Sequence, residues 1–238
     1  MRTPAGTPLH YAQFLGSVTC GRIVDMHRPL DLQRERSLWA QGFRHVAGID
    51  EAGRGALAGP VVAGAVIVDA SAYDAPVWSA VRDSKQLSPA ARATLAPQIE
   101  AAALAWSIGV VEAAAIDALG IAPATRRAMI AAIEALIPRP DYLLIDWVRL
   151  PLVNIQQESR AKADQHIVSV AAASILAKVH RDRIMVELGE RYAVYGFAAH
   201  KGYGAAAHLA ALSQWGPSPV HRHSFAPIAQ PASLLDLP

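Results

Sequence analysis

The chain has 238 residues, is 53% hydrophobic and carries a formal net charge of +2; that is enough for one large domain with a buried core, and too small a basic excess to argue for a nucleic-acid partner by charge alone. The single cysteine, Cys20, excludes an internal disulfide framework and a cysteine-cluster zinc site, and it suits a reducing, cytoplasmic setting. No apolar run reaches the roughly 18–20 residues of a membrane span, and residues 1–9 lack the basic start and apolar core of a secretory signal.

Residues 1–30 show no periodicity and carry Pro4, Pro8 and Pro29, so a loosely ordered extension is expected, with Met26 as a second candidate start. An intact mass beginning at Met1 or Arg2 would dismiss the later start. A short helix over 32–41 should end near Gly42. The expected division is an extension over 1–44, a catalytic domain over 45–228 and a flexible tail over 229–238. Residues 45–51 read as a strand. Residues 61–69 are apolar on both faces, which suits a central buried strand. Residues 89–105 read as a helix capped by Ser88, and 106–111 as a strand. Two helices follow over 112–119 and 123–137, the second with proline in its first turn. Strands are expected over 142–145 and 153–156. A long helix should span 166–192, and its Ala171-Ala172-Ala173-Ser174 segment is small enough to lie close on a sheet. A shorter helix is expected over 204–214. The pattern predicts an α/β layered domain.

Four acids stand out: Asp50, Glu51, Asp146 and Asp164. Asp50 and Asp146 directly follow apolar strand runs, and functional groups of α/β sheets gather beyond strand ends. Neighbouring strand residues face opposite sides, so Asp50 and Glu51 share a site only if the chain bends, which Gly53 permits. Clustered carboxylates repel one another and call for a cation; oxygen ligands suit Mg²⁺ or Mn²⁺. Taken singly, each acid reads more naturally as a turn residue or helix cap. The glycine-rich Gly53-Arg54-Gly55 segment lets backbone N–H groups approach a phosphate. It is neither a P-loop, lacking Lys-Ser/Thr, nor a dinucleotide fingerprint, since it precedes a strand.

Five ordered segments together carry a family resemblance. Residues 48–55 with 57–62 (Gly-Ile-Asp-Glu-Ala-Gly-Arg-Gly, then Leu-Ala-Gly-Pro-Val-Val), 83–88 (Asp-Ser-Lys-Gln-Leu-Ser), 171–183, 200–204 (His-Lys-Gly-Tyr-Gly) and 221–225 (His-Arg-His-Ser-Phe) resemble the motifs of ribonuclease HII, in family order across roughly 45–228. The resemblance implies an RNase H-like fold, a mixed central sheet flanked by helices with a C-terminal helical segment. It implies an endonuclease that acts on RNA–DNA hybrids and cuts 5′ of single ribonucleotides in duplex DNA. Cleavage with two Mg²⁺ or Mn²⁺ ions would leave 3′-OH and 5′-phosphate ends, as ribonucleotide excision repair requires. Asp50, Glu51, Asp146 and Asp164 match its metal-binding acids, and Gly53, Arg54, Gly55 and Tyr203 its ribonucleotide-reading residues.

Only the 2′-OH distinguishes RNA from DNA at one nucleotide. Glycines flanking Arg54 give access to it, and Tyr203 can stack on the next, deoxy, sugar. Lys85, Lys178, Lys201 and Arg222 are candidate phosphate contacts, although each alone reads as a solvated charge. The chain departs from the family at Ala56, usually proline, expected to loosen the loop. It also departs at Trp147, read as packing against the sheet. His180, His200, His208, His221 and His223 lie at or after position 180; solvated or phosphate-contacting rings are preferred to a zinc site, because no His-x3-His pair shares a helix. The tail lacks the paired aromatic end of a sliding-clamp peptide, and a monomer is expected. Two rivals remain: a binding relative without catalysis, and a phosphoesterase of small substrates.

Overall fold

The computed structural model describes residues 30–229. The expected extension before residue 30, the alternative start at Met26 and the tail from Gln230 lie outside the described residues. Helix α1 (Gln33–Ala40) leads into strands β1 (Val46–Ala52) and β2 (Val61–Val68). Helices α2 (Pro76–Ala80) and α3 (Pro89–Ala102) precede β3 (Ala103–Val111), and α4 (Ala113–Leu119) and α5 (Ile121–Glu134) precede β4 (Tyr142–Asp146). After β5 (Gln156–Arg160) come a 3₁₀ turn at Ala163–Gln165 and the long helix α6 (Val168–Arg191). A second 3₁₀ turn (Ala193–Tyr195), α7 (Phe197–His200) and α8 (Ala206–Trp215) complete the described part.

The strands form a mixed sheet in the order β3-β2-β1-β4-β5. Strand β2 is antiparallel to β1 and β3, whereas β4 is parallel to β1 and β5. Helix α5 covers one face, where Ala128, Met129 and Ala132 meet Ile49, Ala63, Ala65 and Ile145. Helix α6 covers the other, where Ala172, Ala173 and Leu176 join Val66 and α3 residues Leu95 and Ile99. The expected closeness of α6 is present. A Cβ on Gly48 would clash with the Ser169 backbone, and one on Gly64 with the Ala173 carbonyl. Small residues on both sides let helix backbone lie directly on strand backbone, which fixes α6 against the strand that carries the acids.

Most element bounds agree with the sequence expectations within a few residues. Ser88 caps α3 as expected, its hydroxyl accepting from the Ala91 N–H at 3.1 Å. One strand is displaced: it was expected over 153–156, but β5 runs Gln156–Arg160. That strand pairs only with β4, at the sheet edge, and an edge strand needs no apolar face. The short helices α2 and α7 have no counterpart in the sequence reading, since neither is long enough to show a period.

Candidate active site

The acids converge at the end of the sheet where β1 and β4 run parallel. Ile49 pairs with Ile145, so Asp50 and Asp146 stand at the same level of neighbouring strands. Strand β1 continues through Asp50 and Glu51 to Ala52, and the turn comes only afterwards, at Gly53 with φ +91°. Asp164 lies in the 3₁₀ turn before α6 and is 2% exposed; Asp50 is 4% exposed.

Each acid is held by a local donor. Asp50 accepts from the Glu51 N–H at 2.7 Å. Glu51 accepts from Arg54 at 3.1 Å, while its Oε2 is buried without a partner among the described residues. Asp146 accepts from the Ala163 N–H at 2.7 Å, and Asp164 from Lys85 Nζ at 3.1 Å. Burial pushes the Asp50 carboxyl well above its usual range, and the Glu51 and Asp146 charges push it further. Burial also raises Glu51, against the opposing charge of Arg54, and raises Asp146. Burial opposes the Lys85 charge, but Asp164, with Asp83 and Asp50, outweighs it and raises the lysine.

Among the described residues, no three His, Cys, Asp or Glu side chains already stand as a metal ligand set. The residues nevertheless fit a hard divalent cation. Acids that raise one another's pKa favour a cation between them. Hard oxygen donors are the chemistry of Mg²⁺ and Mn²⁺. Glu51 Oε2 is an unfilled acceptor. Arg54 and Lys85 neutralise part of the cluster here.

The Gly53-Arg54-Gly55 loop is clamped from behind. Arg222, completely buried, donates to the carbonyls of Gly53 and Arg54 at 2.7 Å each, of Gly59 at 3.0 Å and of Pro60 at 3.1 Å. Its position corrects the expectation of a phosphate contact, because its guanidinium faces backbone carbonyls in the interior. Arg181 of α6, also fully buried, donates to Pro60 and Ala58 carbonyls at 3.0 and 3.1 Å. The loosening expected at Ala56 is also corrected. Its N–H donates to the Gly53 carbonyl at 3.3 Å, a bond proline could not make.

The loop meets the Tyr203 segment through backbone: the Leu57 N–H donates to the Gly202 carbonyl at 2.8 Å. Tyr203 is 38% exposed, and its ring lies beside the Lys178 ammonium (5.7 Å) and the Arg181 guanidinium (5.2 Å). A cleft of about 620 Å³ opens there, lined by Lys178, Arg183, Lys201 and Tyr203 among others. Lys178 also pairs with Asp182 at 2.7 Å, and Lys201 Nζ reaches the Ala198 carbonyl.

Two further expectations are corrected. Trp147 does not pack against the sheet: it is 60% exposed at φ +63°, with Arg54 stacked on its indole at 4.4 Å. The left-handed turn after β4 directs Val148 inward in its place. Nor are the histidines all solvated, since His208 and His221 are completely buried and hydrogen-bonded to each other at 3.0 Å. Asp83 and Ser84 were named only as part of a motif, yet both are buried beside the site. Asp83 accepts from Gln165 at 3.3 Å, and Ser84 bonds Ser174 of α6 at 2.8 Å.

A family model for ribonuclease HII matches residues 47–228. A curated ribonuclease HII of Dehalococcoides mccartyi is 51% identical over 195 residues, 82% of this chain and 92% of that one. Among solved structures, the ribonuclease H2 of Pyrococcus horikoshii OT3 is 26% identical, with a TM-score of 0.65 over 77% of this chain and 95% of that one. The RNase HII in a PCNA complex from Archaeoglobus fulgidus, 24% identical, shares the fold with a TM-score of 0.66 over 81% of this chain and all of that one. No helix among the described residues is long and apolar enough to cross a membrane. This chain belongs to the ribonuclease HII family and is a metal-dependent ribonuclease H, an endonuclease acting on RNA–DNA hybrids.

Proposed function

We propose that this enzyme also cuts duplex DNA on the 5′ side of a single embedded ribonucleotide, using Asp50, Glu51, Asp146 and Asp164 to hold two divalent cations, Mg²⁺ or Mn²⁺. When bound, such ions supply an activated water and neutralise charge at the scissile phosphate. The protein's part is to hold the acids, to read one ribose and to favour a deoxyribose beside it. The raised carboxylates Asp50, Glu51 and Asp146 gain most from a cation, because their ionised forms are the least favoured without one.

The observation that carries this reading is the backbone bond from Leu57 to Gly202. It joins the Gly53–Gly55 loop to the Tyr203 segment while β1 joins that loop to Asp50 and Glu51. A sugar read by these elements is thereby held at a fixed distance from the acids. Gly55 has open space around its Cα, so backbone donors there can approach a 2′-OH. The exposed Tyr203 ring offers a surface for the adjoining sugar, on which a deoxyribose stacks more closely than a ribose. Lys178 and Lys201, which line the cleft, and Lys85, beside Asp164, are assigned to phosphates. Attack 5′ of the ribonucleotide leaves a 3′-OH and a 5′-phosphate. The whole is assigned to a monomer of the cytoplasm serving ribonucleotide excision repair.

The test is kinetic. Tyr203→Ala should lower cleavage at a single ribonucleotide about tenfold more than cleavage of an RNA–DNA hybrid, as expected for loss of one stacking contact. Equal losses on both substrates would remove Tyr203 from sugar recognition.

A further inference from the structure

Behind Tyr203, the buried imidazoles of His208 and His221 form a chain whose proton positions follow from their partners. His208 Nδ1 lies 2.8 Å from the Tyr203 carbonyl oxygen. A carbonyl only accepts, so Nδ1 carries the proton. At the far end, His221 Nδ1 lies 2.8 Å from the Ser218 backbone N–H. A backbone N–H only donates, so this nitrogen is bare and the proton of neutral His221 sits on Nε2. Between the rings, His221 Nε2 faces His208 Nε2 at 3.0 Å. One donor and one acceptor therefore meet there. Each ring nitrogen is used, with both rings neutral, and the chain runs from Ser218 through both imidazoles to the Tyr203 carbonyl.

The surroundings hold this arrangement. His200 stacks on His208 with ring centres 4.5 Å apart and planes at 15°. The same His200 ring bonds the Tyr195 carbonyl through Nε2 at 2.7 Å and accepts the Gly202 N–H at 3.2 Å. Phe197 packs edge-on to His208, and Tyr195 edge-on to His221. Burial lowers the pKa of both rings, His221 to about 4, which favours their neutral forms. The chain ends on the main chain of the residue assigned to the sugar.

We propose that His208 and His221 are positioning residues for ribonucleotide discrimination: their hydrogen-bond chain fixes the Tyr203 carbonyl and with it the placement of the Tyr203 ring in the cleft. The proposal rests on the reading of Tyr203 as the residue that senses the ribose–deoxyribose junction. It assigns neither histidine a contact with substrate. Without the chain, the Tyr203 carbonyl retains, among the described residues, only the Ala205 N–H at 2.8 Å, a local bond that allows the segment to tilt.

Two substitutions at one position separate this role from packing. The amide nitrogen of asparagine overlays imidazole Nδ1 as a donor, and the amide oxygen of glutamine, turned towards His221, takes the place of Nε2 as the acceptor. His208→Asn keeps the donor to Tyr203 and gives up the bond to His221; His208→Gln does the reverse. The readout is the ratio of kcat/KM on a duplex with one ribonucleotide to kcat/KM on an RNA–DNA hybrid. It is taken on the full chain with Mg²⁺, and thermal melts set the folded fraction. The ratio should stay within about twofold of wild type for His208→Asn and fall about tenfold for His208→Gln, the loss of one buried hydrogen bond. Equal ratios in the two variants, high or low, would overturn the proposal. Tyr203→Ala, run alongside, isolates the underlying reading: if it leaves the ratio unchanged, the assignment of Tyr203 itself is wrong. If it lowers the ratio while the two His208 variants agree, only the relay is wrong.

Discussion

Arg222 reaches the Gly53 carbonyl at 2.7 Å from a segment 169 residues away, with its guanidinium completely buried. Burial, then the nearby Arg181 charge, lowers its pKa to about 10, so it remains charged at neutral pH. Two like charges are tolerated side by side because backbone carbonyls surround them. Arg222→Lys cannot span four carbonyls, and it should lower unfolding stability by about 3 kcal/mol. Urea unfolding followed by circular dichroism measures it. A loss below about 1 kcal/mol would show that Arg181 alone holds the loop.

Gly53 and Gly55 should behave differently. A Cβ on Gly53 would meet the Arg181 guanidinium, at a φ that disfavours side chains, so Gly53→Ala should cost both stability and activity. A Cβ on Gly55 meets nothing within 4 Å, and Gly55→Ala should leave the melting temperature unchanged. If Gly55 faces the ribose, its alanine variant should still lose about tenfold or more in cleavage. Full activity in Gly55→Ala would place the ribose elsewhere.

Trp147 carries a left-handed backbone, and its indole stacks on the Arg54 guanidinium that also pairs with Glu51. Trp147→Ala and Trp147→Gly both remove the ring, but only alanine retains the backbone cost. The glycine variant should be more stable than the alanine variant by about 1 kcal/mol. Equal denaturation midpoints would mean that the turn relaxes once the indole is gone.

Stability should respond to pH in two opposite senses. Asp50 has a raised folded pKa, so its carboxylate disfavours folding, and stability falls as pH climbs above the unfolded value near 3.8. Asp50→Asn should abolish cleavage, leave hybrid binding in Ca²⁺ largely intact and raise the melting temperature at pH 7. A lower melting temperature would contradict the electrostatic account. His221 works the other way. Its folded pKa lies below the unfolded 6.5, so stability is full above that value and is lost as pH falls towards about 4. The ceiling is about 3 kcal/mol, read as the wild type minus His221→Gln difference at each pH. A difference independent of pH would mean that the ring is not buried neutral.

Much of this was legible in the sequence, for identifiable reasons. Asp50 and Asp146 stood out because apolar runs end on them, and α6 because four small residues mark a close approach to the sheet. The buried role of Arg222 was not legible. An arginine beside two histidines looks like a phosphate contact until the carbonyls it faces are known, and those lie over 160 positions away. Trp147 misled because an aromatic residue after a buried strand ordinarily continues inward, and only its left-handed φ turns it out. The His208–His221 pair spans a helix and the following segment, so no single-helix spacing announces it. The strand expected over 153–156 was misplaced by a few residues because the polar edge strand β5, Gln156–Arg160, carries little pattern.

The central claim is that acids, glycine loop and Tyr203 act together on one ribonucleotide. The most direct test is cleavage of a labelled DNA duplex carrying a single ribonucleotide, with Mg²⁺ or Mn²⁺, beside an all-DNA duplex and an EDTA control. The account predicts one cut, 5′ of the ribonucleotide, leaving a 3′-OH and a 5′-phosphate, and none in either control. Cleavage of an RNA–DNA hybrid with no cut at the single ribonucleotide would contradict it.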